Sequence, residues 1–216
     1  MASRTQLVVF DWDGTLMDST GQIVAAATAA IAQLGLPVRS PAAIRDIIGL
    51  GLRESWQRLF PEHGPDDFLP FVDAYRDHFL APEQQTAQLF AAAAEVVEEL
   101  AGRGFLLAVA TGKSRRGLDR DLATTGLGRF MAGTRTADET RSKPHPDMLH
   151  ELMGSLGAAP AATLMVGDTE WDLEMARRAG VPAVAVSYGA HLPERLHPYE
   201  PLACIDTLEA LLAMLE

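Results

Sequence analysis

Short apolar runs recur along the chain and alternate with helical patterns. The run at residues 7–10 is rich in valine and shows no polar alternation, so it predicts a strand buried on both faces. Similar runs occupy residues 105–110, 163–166 and 183–186. Helices are predicted around them, at 91–101, 114–125, 146–156, 170–179 and from a cap at Asp206 to the C-terminus. This alternation predicts an α/β fold, a Rossmann-like parallel sheet covered by helices on both faces.

One stretch interrupts the alternation, because residues 18–79 show helical patterns and no strand pattern. Ser19 and Gln22 fit a capping box, and Ser40-Pro41 fits a helix cap followed by a proline in the first turn. Three apolar stripes at helical spacing favour a small helical core. They comprise Ile23, Ala27, Ile31 and Leu34, then Leu52, Trp56, Leu59 and Phe60, then Phe68, Phe71, Val72, Tyr75 and Phe79.

These patterns predict two domains. Residues 1–17 and 83–216 should form the α/β core, and residues 18–82 should form an inserted helical cap, with a return linker at 82–87. Parallel sheets of this kind bind ligands at the carboxyl ends of their strands. Because the insertion follows the first predicted strand, we expect the cap to lie over that strand's carboxyl end.

The composition is that of an ordinary globular protein with an acidic surface. The formal net charge is −11, which repels nucleic acid and anionic membranes, so we expect neither as a partner. No signal-peptide pattern and no apolar stretch near the ~18 residues of a membrane span is present, so a cytoplasmic monomer or homodimer is expected. The single cysteine, Cys204, is predicted to be a buried strand residue.

The first candidate functional residues lie directly after the first predicted strand, in the segment Asp11-Trp12-Asp13-Gly14-Thr15. Residues i and i+2 of an extended chain point to the same side, so Asp11 and Asp13 can converge on one site while Trp12 faces away. Gly14 allows the backbone to approach a ligand closely, and the amides that follow can face phosphate oxygens. Aspartate and glycine are also common in turns, so this segment alone is equally consistent with a turn.

Polar residues follow other predicted strands in the same way. Thr111 offers a hydroxyl donor at a strand end, and the Gly112 amide lies where a helix begins, a position that favours an anion. Lys143 supplies a positive charge suited to phosphate, although a lone lysine is usually solvated. Asp168 offers carboxylate oxygens of the kind that Mg²⁺ prefers, and Asp172 is either a second such residue or a helix cap.

Together these residues resemble the four ordered motifs of the haloacid dehalogenase-like hydrolase superfamily. The motifs correspond in order to Asp11-x-Asp13-Gly14-Thr15 with its Asp18-Ser19 extension, to Thr111, to Lys143, and to Gly167-Asp168 followed by Asp172. The helical stretch between the first and second motifs resembles the cap of the phosphoglycolate phosphatase-like branch. The resemblance covers nearly the whole chain and implies the same core-and-cap fold.

The resemblance also implies a magnesium-dependent phosphatase that acts on a small phosphorylated metabolite. Asp11 would be the nucleophile that forms an aspartyl-phosphate, and Asp13 would protonate the leaving oxygen and then activate water. Mg²⁺ would bind Asp11, the backbone carbonyl of Asp13 and Asp168, while Asp172 holds the metal's waters or Lys143. Phosphate oxygens, and the charge of the transition state, would be bound by Gly14, Thr15, Thr111, Gly112 and Lys143.

Several alternatives stay open or are disfavoured. A β-phosphoglucomutase-like phosphomutase shares every core motif and differs only in cap residues. A dehalogenase is disfavoured because that branch lacks the second aspartate, which is Asp13 here. A receiver-like signalling module carries its phosphoacceptor on a later strand and needs a shorter chain. A non-enzymatic, phosphoryl-binding regulatory protein would not need the intact set of Asp11, Asp13, Lys143 and Asp168.

Two further residues are candidates for substrate binding. Arg53 follows a glycine-flanked segment, Gly49-Leu50-Gly51-Leu52, and offers a fork of donors to a carboxylate. Alternatively, the two glycines only separate helices and Arg53 lies on the surface. Lys113 follows the second motif and is expected to touch the far end of the substrate. With the resemblance, these residues favour phosphoglycolate or a similarly small carboxylated phosphomonoester.

Overall fold

The computed structural model describes residues 5–81 and 87–215. Within these ranges the strands are β1 Leu7–Phe10, β2 Met17–Asp18, β3 Gln88–Leu89, β4 Leu106–Thr111, β5 Met131–Thr136, β6 Thr163–Gly167, β7 Ala183–Val186 and β8 Ala203–Ile205. The α-helices are α1 Thr20–Gln33, α2 Pro41–Arg45, α3 Leu52–Leu59, α4 Phe68–Leu80, α5 Ala93–Gly102, α6 Arg115–Thr125, α7 Asp147–Leu156, α8 Glu170–Ala179, α9 Pro193–Leu196 and α10 Ala210–Met214.

Six of the strands form one sheet in the order β5-β4-β1-β6-β7-β8. Every neighbouring pair in it is parallel, so the carboxyl ends of all six strands lie at one edge. β1 lies between β4 and β6, with Phe10 level with Val109 and Val166. The predicted α/β fold with a Rossmann-like parallel sheet is confirmed, and the three strands that precede candidate motifs are neighbours.

Alternate residues of β1 face opposite layers of helices. Val8 and Phe10 pack into a core that includes residues of α5, α6 and α10. Leu7 and Val9 pack into a second core with residues of α7, α8 and α9. Each large apolar side chain that is fully buried contributes about 1.5–3 kcal/mol, so these two layers fix the sheet firmly. The edge that carries the polar motif residues is therefore a rigid support.

Helices α1–α4 form the insertion that the pattern predicted. Their apolar faces meet in a third core, in which the ring of Trp56 lies 4.8 Å from that of Phe60 and 5.3 Å from that of Phe71. Ser40 caps α2 as predicted, because its hydroxyl oxygen accepts a bond from the Ala43 N–H at 3.1 Å. The insertion thus has a hydrophobic core of its own and lies over the carboxyl edge of the sheet.

A two-stranded sheet links the insertion to the core. β2 and β3 pair antiparallel, with Met17 opposite Leu89. The sequence pattern did not predict these strands, because two residues are too few to show a period-2 alternation. We propose that this pair marks both crossings between core and cap, in agreement with the predicted division near residues 18 and 82. Residue 82 itself lies outside the described ranges, as does most of the predicted return linker.

The predicted capping box at the start of α1 is wrong. The Ser19 hydroxyl makes no bond to the helix backbone and instead donates to Asp13 Oδ1 at 2.6 Å. The Gln22 side-chain amide donates to the carbonyl oxygen of Phe79 at 2.8 Å. Both side chains have partners outside the first turn of the helix, and local spacing does not encode such partners.

The C-terminal region also differs from the prediction. The last described helix begins at Ala210, and Asp206 accepts a bond from the Ser187 hydroxyl instead of capping it. Cys204 lies in a strand as predicted, but it is only half-buried because β8 is at the edge of the sheet. Among the described residues, no helix combines the length and the apolar character that crossing a bilayer requires.

Candidate active site

The three central strands of the sheet end in polar residues that meet at its carboxyl edge. Asp11 follows β1, Thr111 ends β4 and Asp168 follows β6. All three side chains are buried. Because β1 lies between β4 and β6, residues that are far apart in sequence become neighbours at this edge.

Lys143 reaches the same group from the segment between β5 and α7. Its Nζ lies 2.7 Å from Asp11 Oδ1 and 2.6 Å from Asp172 Oδ1, and the side chain is fully buried. The other oxygen of Asp172 accepts bonds from the backbone N–H and the hydroxyl of Thr169, which completes a capping box at the start of α8. Asp172 therefore caps α8, as one of the two interpretations predicted, and also pairs with Lys143, while its role toward a metal stays a prediction.

Asp168 is fixed by two hydrogen bonds. The Thr15 hydroxyl donates to Oδ1 at 2.9 Å, and the Ala190 backbone N–H donates to Oδ2 at 2.7 Å. The backbone of Gly14 passes so close that a Cβ there would lie 2.2 Å from Asp168 Oδ2, and its φ of +85° is one that glycine adopts readily. Glycine at position 14 is therefore a geometric requirement of this site.

Burial makes the protonation of these groups unusual. Burial, followed by the charge of Asp172, raises the pKa of Asp11 well above its usual range, although Lys143 opposes the shift. Burial and Asp172 likewise raise the pKa of Asp168 to about 7. Burial would lower the pKa of Lys143, but Asp11 and Asp172 outweigh it and raise that pKa, so the lysine stays protonated. Three buried carboxylates thus share one buried ammonium group.

A divalent cation fits this group of carboxylates. Asp11, Asp168 and Asp172 each offer an oxygen, and these oxygens lie within 4.8 Å of one another. Asp11 Oδ2 is buried and has neither a hydrogen-bond nor an ion-pair partner among the described residues. A cation would bind this oxygen and offset the excess negative charge, and carboxylates are preferred ligands of Mg²⁺. The Asp13 carboxylate is not part of this group. The predicted role of Asp13 as a metal ligand therefore depends on its backbone carbonyl alone.

Asp13 has a separate set of partners. Its Oδ1 accepts a bond from the Ser19 hydroxyl and lies 2.8 Å from Lys113 Nζ. Lys113 Nζ also lies 3.2 Å from Asp121 Oδ2, which accepts the indole N–H of Trp12 at 3.2 Å. Burial would lower the pKa of Lys113, but Asp13 and Asp121 raise it. Lys113 therefore lies against Asp13 at the edge of the cavity, and its contact with the far end of the substrate stays a prediction.

The residues predicted to bind phosphate differ in what their donors contact. The Gly14 N–H donates to the Met17 carbonyl at 2.8 Å, and the Thr15 hydroxyl is bonded to Asp168 as described above. The Gly14 N–H is therefore engaged within its own loop, and the Thr15 hydroxyl is engaged by Asp168 of the loop after β6, which corrects the predicted contact of these two donors with phosphate. The Thr111 oxygen accepts the Lys113 N–H at 3.2 Å, which leaves the hydroxyl proton of Thr111 available for donation.

Gly112 lies where the insertion approaches the core closely. A Cβ at this position would lie 2.5 Å from the carbonyl oxygens of Gly49 and Leu50. Any larger residue would therefore push away the loop that precedes α3. Gly112 also lines the cavity described next, so it remains a candidate for phosphate binding.

A cavity of about 470 Å³ lies between the sheet edge and the insertion. Asp11, Asp13 and Thr111 line its core side, and residues of α1, α3, α4 and the loop before α3 line the opposite side. Arg53 does not line this cavity. It is exposed on the outer side of α3, and its guanidinium lies 5.0 Å from the ring centroid of Phe68. The structure therefore does not bring the predicted carboxylate-binding residue to the site.

A second contact joins the insertion to the core beside the cavity. The backbone carbonyl of Asp46 accepts the Trp171 indole N–H at 3.3 Å, and His191 Nε2 lies 3.3 Å from the same oxygen. The Asp46 carboxylate pairs with Arg195 of α9. Partial burial works against the ionised form, but the bond and charge of Arg195 prevail and lower the pKa of Asp46. This contact holds the end of α2 against the core.

Three residues of the site were not identified from the sequence. Two of them were assigned another role, and the third was not considered. Ser19 was interpreted as a helix cap, although the Asp18-Ser19 extension of the first motif indicated a position near the site. Tyr75 was assigned to the helical core, yet it lines the cavity. Asp121 was not considered. It lies three residues after the buried Leu118 on α6, and a carboxylate on an apolar helix face signals a buried partner.

Comparisons with known proteins agree with this geometry. A family model described as haloacid dehalogenase-like hydrolase matches residues 8–186. A protein of Dickeya dadantii named "Probable phosphatase IndB" is 35% identical over 207 residues, covering 93% of this chain and 89% of that protein. A phosphoglycolate phosphatase of Pseudomonas syringae pv. syringae is 30% identical over 218 residues, covering 96% and 78% of the two chains.

The solved structures include the same architecture. A haloacid dehalogenase-like family hydrolase from Streptococcus pneumoniae superposes with a TM-score of 0.84 and 26% identity, covering 98% of this chain and 99% of that one. The family model spans both the first motif and the fourth, and the relatives match the chain across the insertion as well as the core. The chain therefore belongs to the haloacid dehalogenase-like hydrolases and resembles the phosphoglycolate phosphatases among them.

Proposed function

We propose that the protein is a magnesium-dependent phosphatase that hydrolyses a small phosphomonoester through an aspartyl-phosphate on Asp11. The observation that carries the proposal is the carboxylate of Asp11. It lines the cavity and has one buried oxygen without a partner among the described residues. Its other oxygen is held by Lys143 and by the Trp12 backbone N–H at 2.6 Å. A carboxylate fixed in this way is oriented for attack on phosphorus.

Two transfers complete the proposed reaction. In the first, an Asp11 oxygen forms a bond to phosphorus, the ester P–O bond breaks, and Asp13 gives a proton to the leaving alcohol oxygen. In the second, water loses a proton to Asp13 and attacks phosphorus, which breaks the bond to Asp11 and releases inorganic phosphate. Asp13 suits both proton transfers because it lies two residues from Asp11 and lines the same cavity.

The negative charge of the phosphoryl group needs a positive environment. Lys143 is buried, protonated and 2.7 Å from the nucleophile, so it suits charge that develops in the transition state. The Thr111 hydroxyl and the Gly112 amide are the further proposed phosphate donors, and both residues line the cavity. Asp11, Asp168 and the Asp13 carbonyl would hold Mg²⁺, with Asp172 behind them. When bound, this ion would neutralise charge on the phosphate oxygens.

The proposed substrate class is a small phosphomonoester. Relatives named phosphatase and phosphoglycolate phosphatase support the phosphoryl chemistry. A phosphoglycolate-like compound was the prediction from the sequence, and it rested on the family resemblance together with Arg53 as the carboxylate ligand. Because Arg53 lies outside the cavity, phosphoglycolate enters the following experiments as a test compound and not as the expected best substrate.

The proposal is tested with the variant Asp11→Asn, whose amide is a much poorer nucleophile in a nearly identical shape. We expect loss of turnover on every phosphomonoester, with an unchanged circular dichroism spectrum. Asp73→Asn is the matched control, since Asp73 is exposed on α4 and lies outside the cavity. In wild-type protein quenched with acid during turnover, mass spectrometry should find the phosphoryl group on the peptide that contains Asp11. Turnover by folded Asp11→Asn at a substantial fraction of the wild-type rate would rule out the assigned nucleophile.

A further inference from the structure

The cavity above Asp11 has two chemically different walls. The core wall carries the polar groups already described, whereas the opposite wall is built mainly from apolar side chains of the insertion. A volume of about 470 Å³ falls within the range of roughly 300–1,000 Å³ that accommodates drug-sized ligands. The space is therefore much larger than a phosphate group with a two-carbon substituent needs.

Three aromatic rings on α4 form a ladder along one side of the cavity. The rings of Phe71 and Tyr75 lie 6.3 Å apart at an interplanar angle of 20°, and those of Tyr75 and Phe79 lie 5.7 Å apart at 32°. Their spacing of four residues places them on one helix face. Ile47 and Ile48 also line the cavity. The insertion thus offers an apolar, aromatic wall that suits a ring.

The ladder lies on the side from which the leaving group would depart. Lys113 Nζ lies 2.8 Å from Asp13 Oδ1 and 5.1 Å from the ring centroid of Phe79. Asp13 is the proposed donor to the leaving oxygen. An alcohol that receives its proton from Asp13 therefore begins its path beside Phe79.

Polar groups on the insertion side are few. The Ser55 hydroxyl is directed to the Ile47 carbonyl at 3.4 Å, and the Tyr75 hydroxyl stays protonated because burial, and then the charge of Asp13, raises the pKa of Tyr75. A sugar has a hydroxyl on nearly every carbon, and each one buried without a partner is penalised. This wall thus disfavours the hexose phosphates on which a phosphomutase would act.

Three exposed arginines also line the cavity. They are Arg76, Arg116 and Arg120. The guanidinium of Arg120 donates to Asp121 Oδ1 at 2.7 Å and lies 5.7 Å from the ring centroid of Phe79. In a chain of net charge −11 the three arginines provide local positive charge that favours entry of an anionic ester. They do not supply the apolar contact that the inner wall offers.

On the basis of the phosphatase function proposed above, we propose that the substrate is a phosphomonoester of an apolar, ring-sized alcohol, held against the ladder of Phe71, Tyr75 and Phe79. The same cavity contains the nucleophile and the ladder, so one ligand can contact both. The substrate class is thereby distinguished from short carboxylated esters and from sugar phosphates by the chemistry of its leaving group.

The first experiment compares benzyl phosphate, phosphoglycolate and glucose 6-phosphate with Mg²⁺. All three are esters of aliphatic alcohols, so a preference does not simply reflect the better leaving group of an aryl phosphate. We expect kcat/KM for benzyl phosphate to exceed the other two values by about tenfold or more, the order expected when apolar contacts discriminate. A higher kcat/KM for phosphoglycolate or glucose 6-phosphate overturns the inference.

The second experiment measures binding without turnover, so it separates this inference from the phosphatase proposal. Isothermal titration of Asp11→Asn with benzyl phosphate and with phosphoglycolate should show tighter binding of benzyl phosphate. The reverse order overturns the inference even if the wild-type enzyme hydrolyses both esters. If the wild type hydrolyses none of the three esters, the phosphatase proposal fails, while the binding order still decides the inference.

Variants of α4 test whether the preference for benzyl phosphate depends on the ladder. Tyr75→Ala should lower kcat/KM for benzyl phosphate about tenfold relative to phosphoglycolate, whereas Tyr75→Phe, which keeps the ring, should retain the preference. Phe68→Ala is the matched control, because Phe68 is an aromatic residue of the same helix that does not line the cavity. Equal selectivity in Tyr75→Ala and the wild type, or an equal loss in Phe68→Ala, contradicts the proposed role of the ladder.

Discussion

The two lysines of the chain, Lys113 and Lys143, both lie at the site and contact different aspartates. Lys143 contacts Asp11 and is fully buried. Lys113 contacts Asp13 and keeps one edge at the cavity, with 10% of its side chain exposed. Each aspartate proposed to react therefore has its own positive partner. Replacing one lysine or the other should therefore lower the rate to different extents.

Lys143→Ala should lower kcat by roughly 10³-fold or more, because it removes the positive charge nearest the nucleophile. Lys113→Ala should lower kcat by roughly 10²-fold or less, because it displaces Asp13 without removing a donor to phosphate. Steady-state kinetics with circular dichroism as a check on folding measures both values. Equal losses, or a larger loss for Lys113→Ala, would show that the two charges have been assigned to the wrong steps.

The carboxylate cluster also predicts which metal ions support activity. Turnover should require Mg²⁺ and disappear in excess chelator, because the paired carboxylates otherwise repel the anionic substrate. Ca²⁺ should inhibit, since it takes more oxygen ligands at longer distances and would draw both oxygens of Asp11 onto the metal. Rates measured with each ion after dialysis against chelator test this. Full activity in chelator contradicts the prediction.

At the scale of elements, the insertion is held over the sheet by contacts at a few loop positions. The loop at Gly49 and Leu50 packs on Gly112, and Asp46 at the end of α2 is bound by Arg195 and Trp171. We expect these contacts, more than the apolar cores, to determine how tightly the insertion covers the cavity. A change at one of them should alter access to the site more than overall stability.

Asp46→Ala tests this idea. The variant keeps the backbone carbonyl that binds Trp171 and loses the two ion pairs of its carboxylate, one with Arg195 of the core and one with Arg58 of α3. Both pairs are partly exposed, and such pairs contribute about 0.2–1 kcal/mol each. We expect faster amide hydrogen exchange in α2 and the loop before α3, and a KM raised severalfold with a nearly unchanged melting temperature. Asp66→Ala, at an exposed residue of the same insertion, is the control. Identical exchange in both variants contradicts a closing role for Asp46.

At the scale of the whole molecule, the buried carboxylates couple stability to pH and to metal. The folded pKa of Asp168 is about 7, above its ordinary value of 3.8, so the folded state binds more protons than the unfolded state between these values. The contribution of Asp168 to stability is therefore fully present at low pH and is lost as pH rises through about 7. A bound divalent cation would offset this loss.

Thermal unfolding measures this coupling without any substrate. The metal-free protein should melt at a lower temperature at pH 8 than at pH 5. Mg²⁺ at about 100 times its Kd should add about 2.7 kcal/mol of stability at pH 8 and less at pH 5. Asp168→Asn should lose most of this response. A Mg²⁺-induced shift of equal size in Asp168→Asn and the wild type would mean that the ion binds elsewhere.

The sequence by itself determined the features that depend on short-range periodicity. Continuous apolar runs predict strands buried on both faces, because such strands need no polar face, and the alternation of these runs with helices predicts the parallel sheet. Asp11 and Asp13 were placed on one site by the period-2 geometry of an extended chain. The cap at Ser40 could be predicted because a cap bonds to a backbone N–H only three residues away.

Only the tertiary structure decided which distant side chains meet. Lys113 and Asp13 are separated by 100 positions, and no local pattern records that they form an ion pair. Ser19 satisfied the spacing of a helix cap, yet its hydroxyl bonds to Asp13 because the first motif folds back beside it. Arg53 has the chemistry of a carboxylate ligand, but the packing of α3 turns it outward. Side-chain partners and cavity walls depend on how rigid elements pack, and local sequence spacing does not specify that packing.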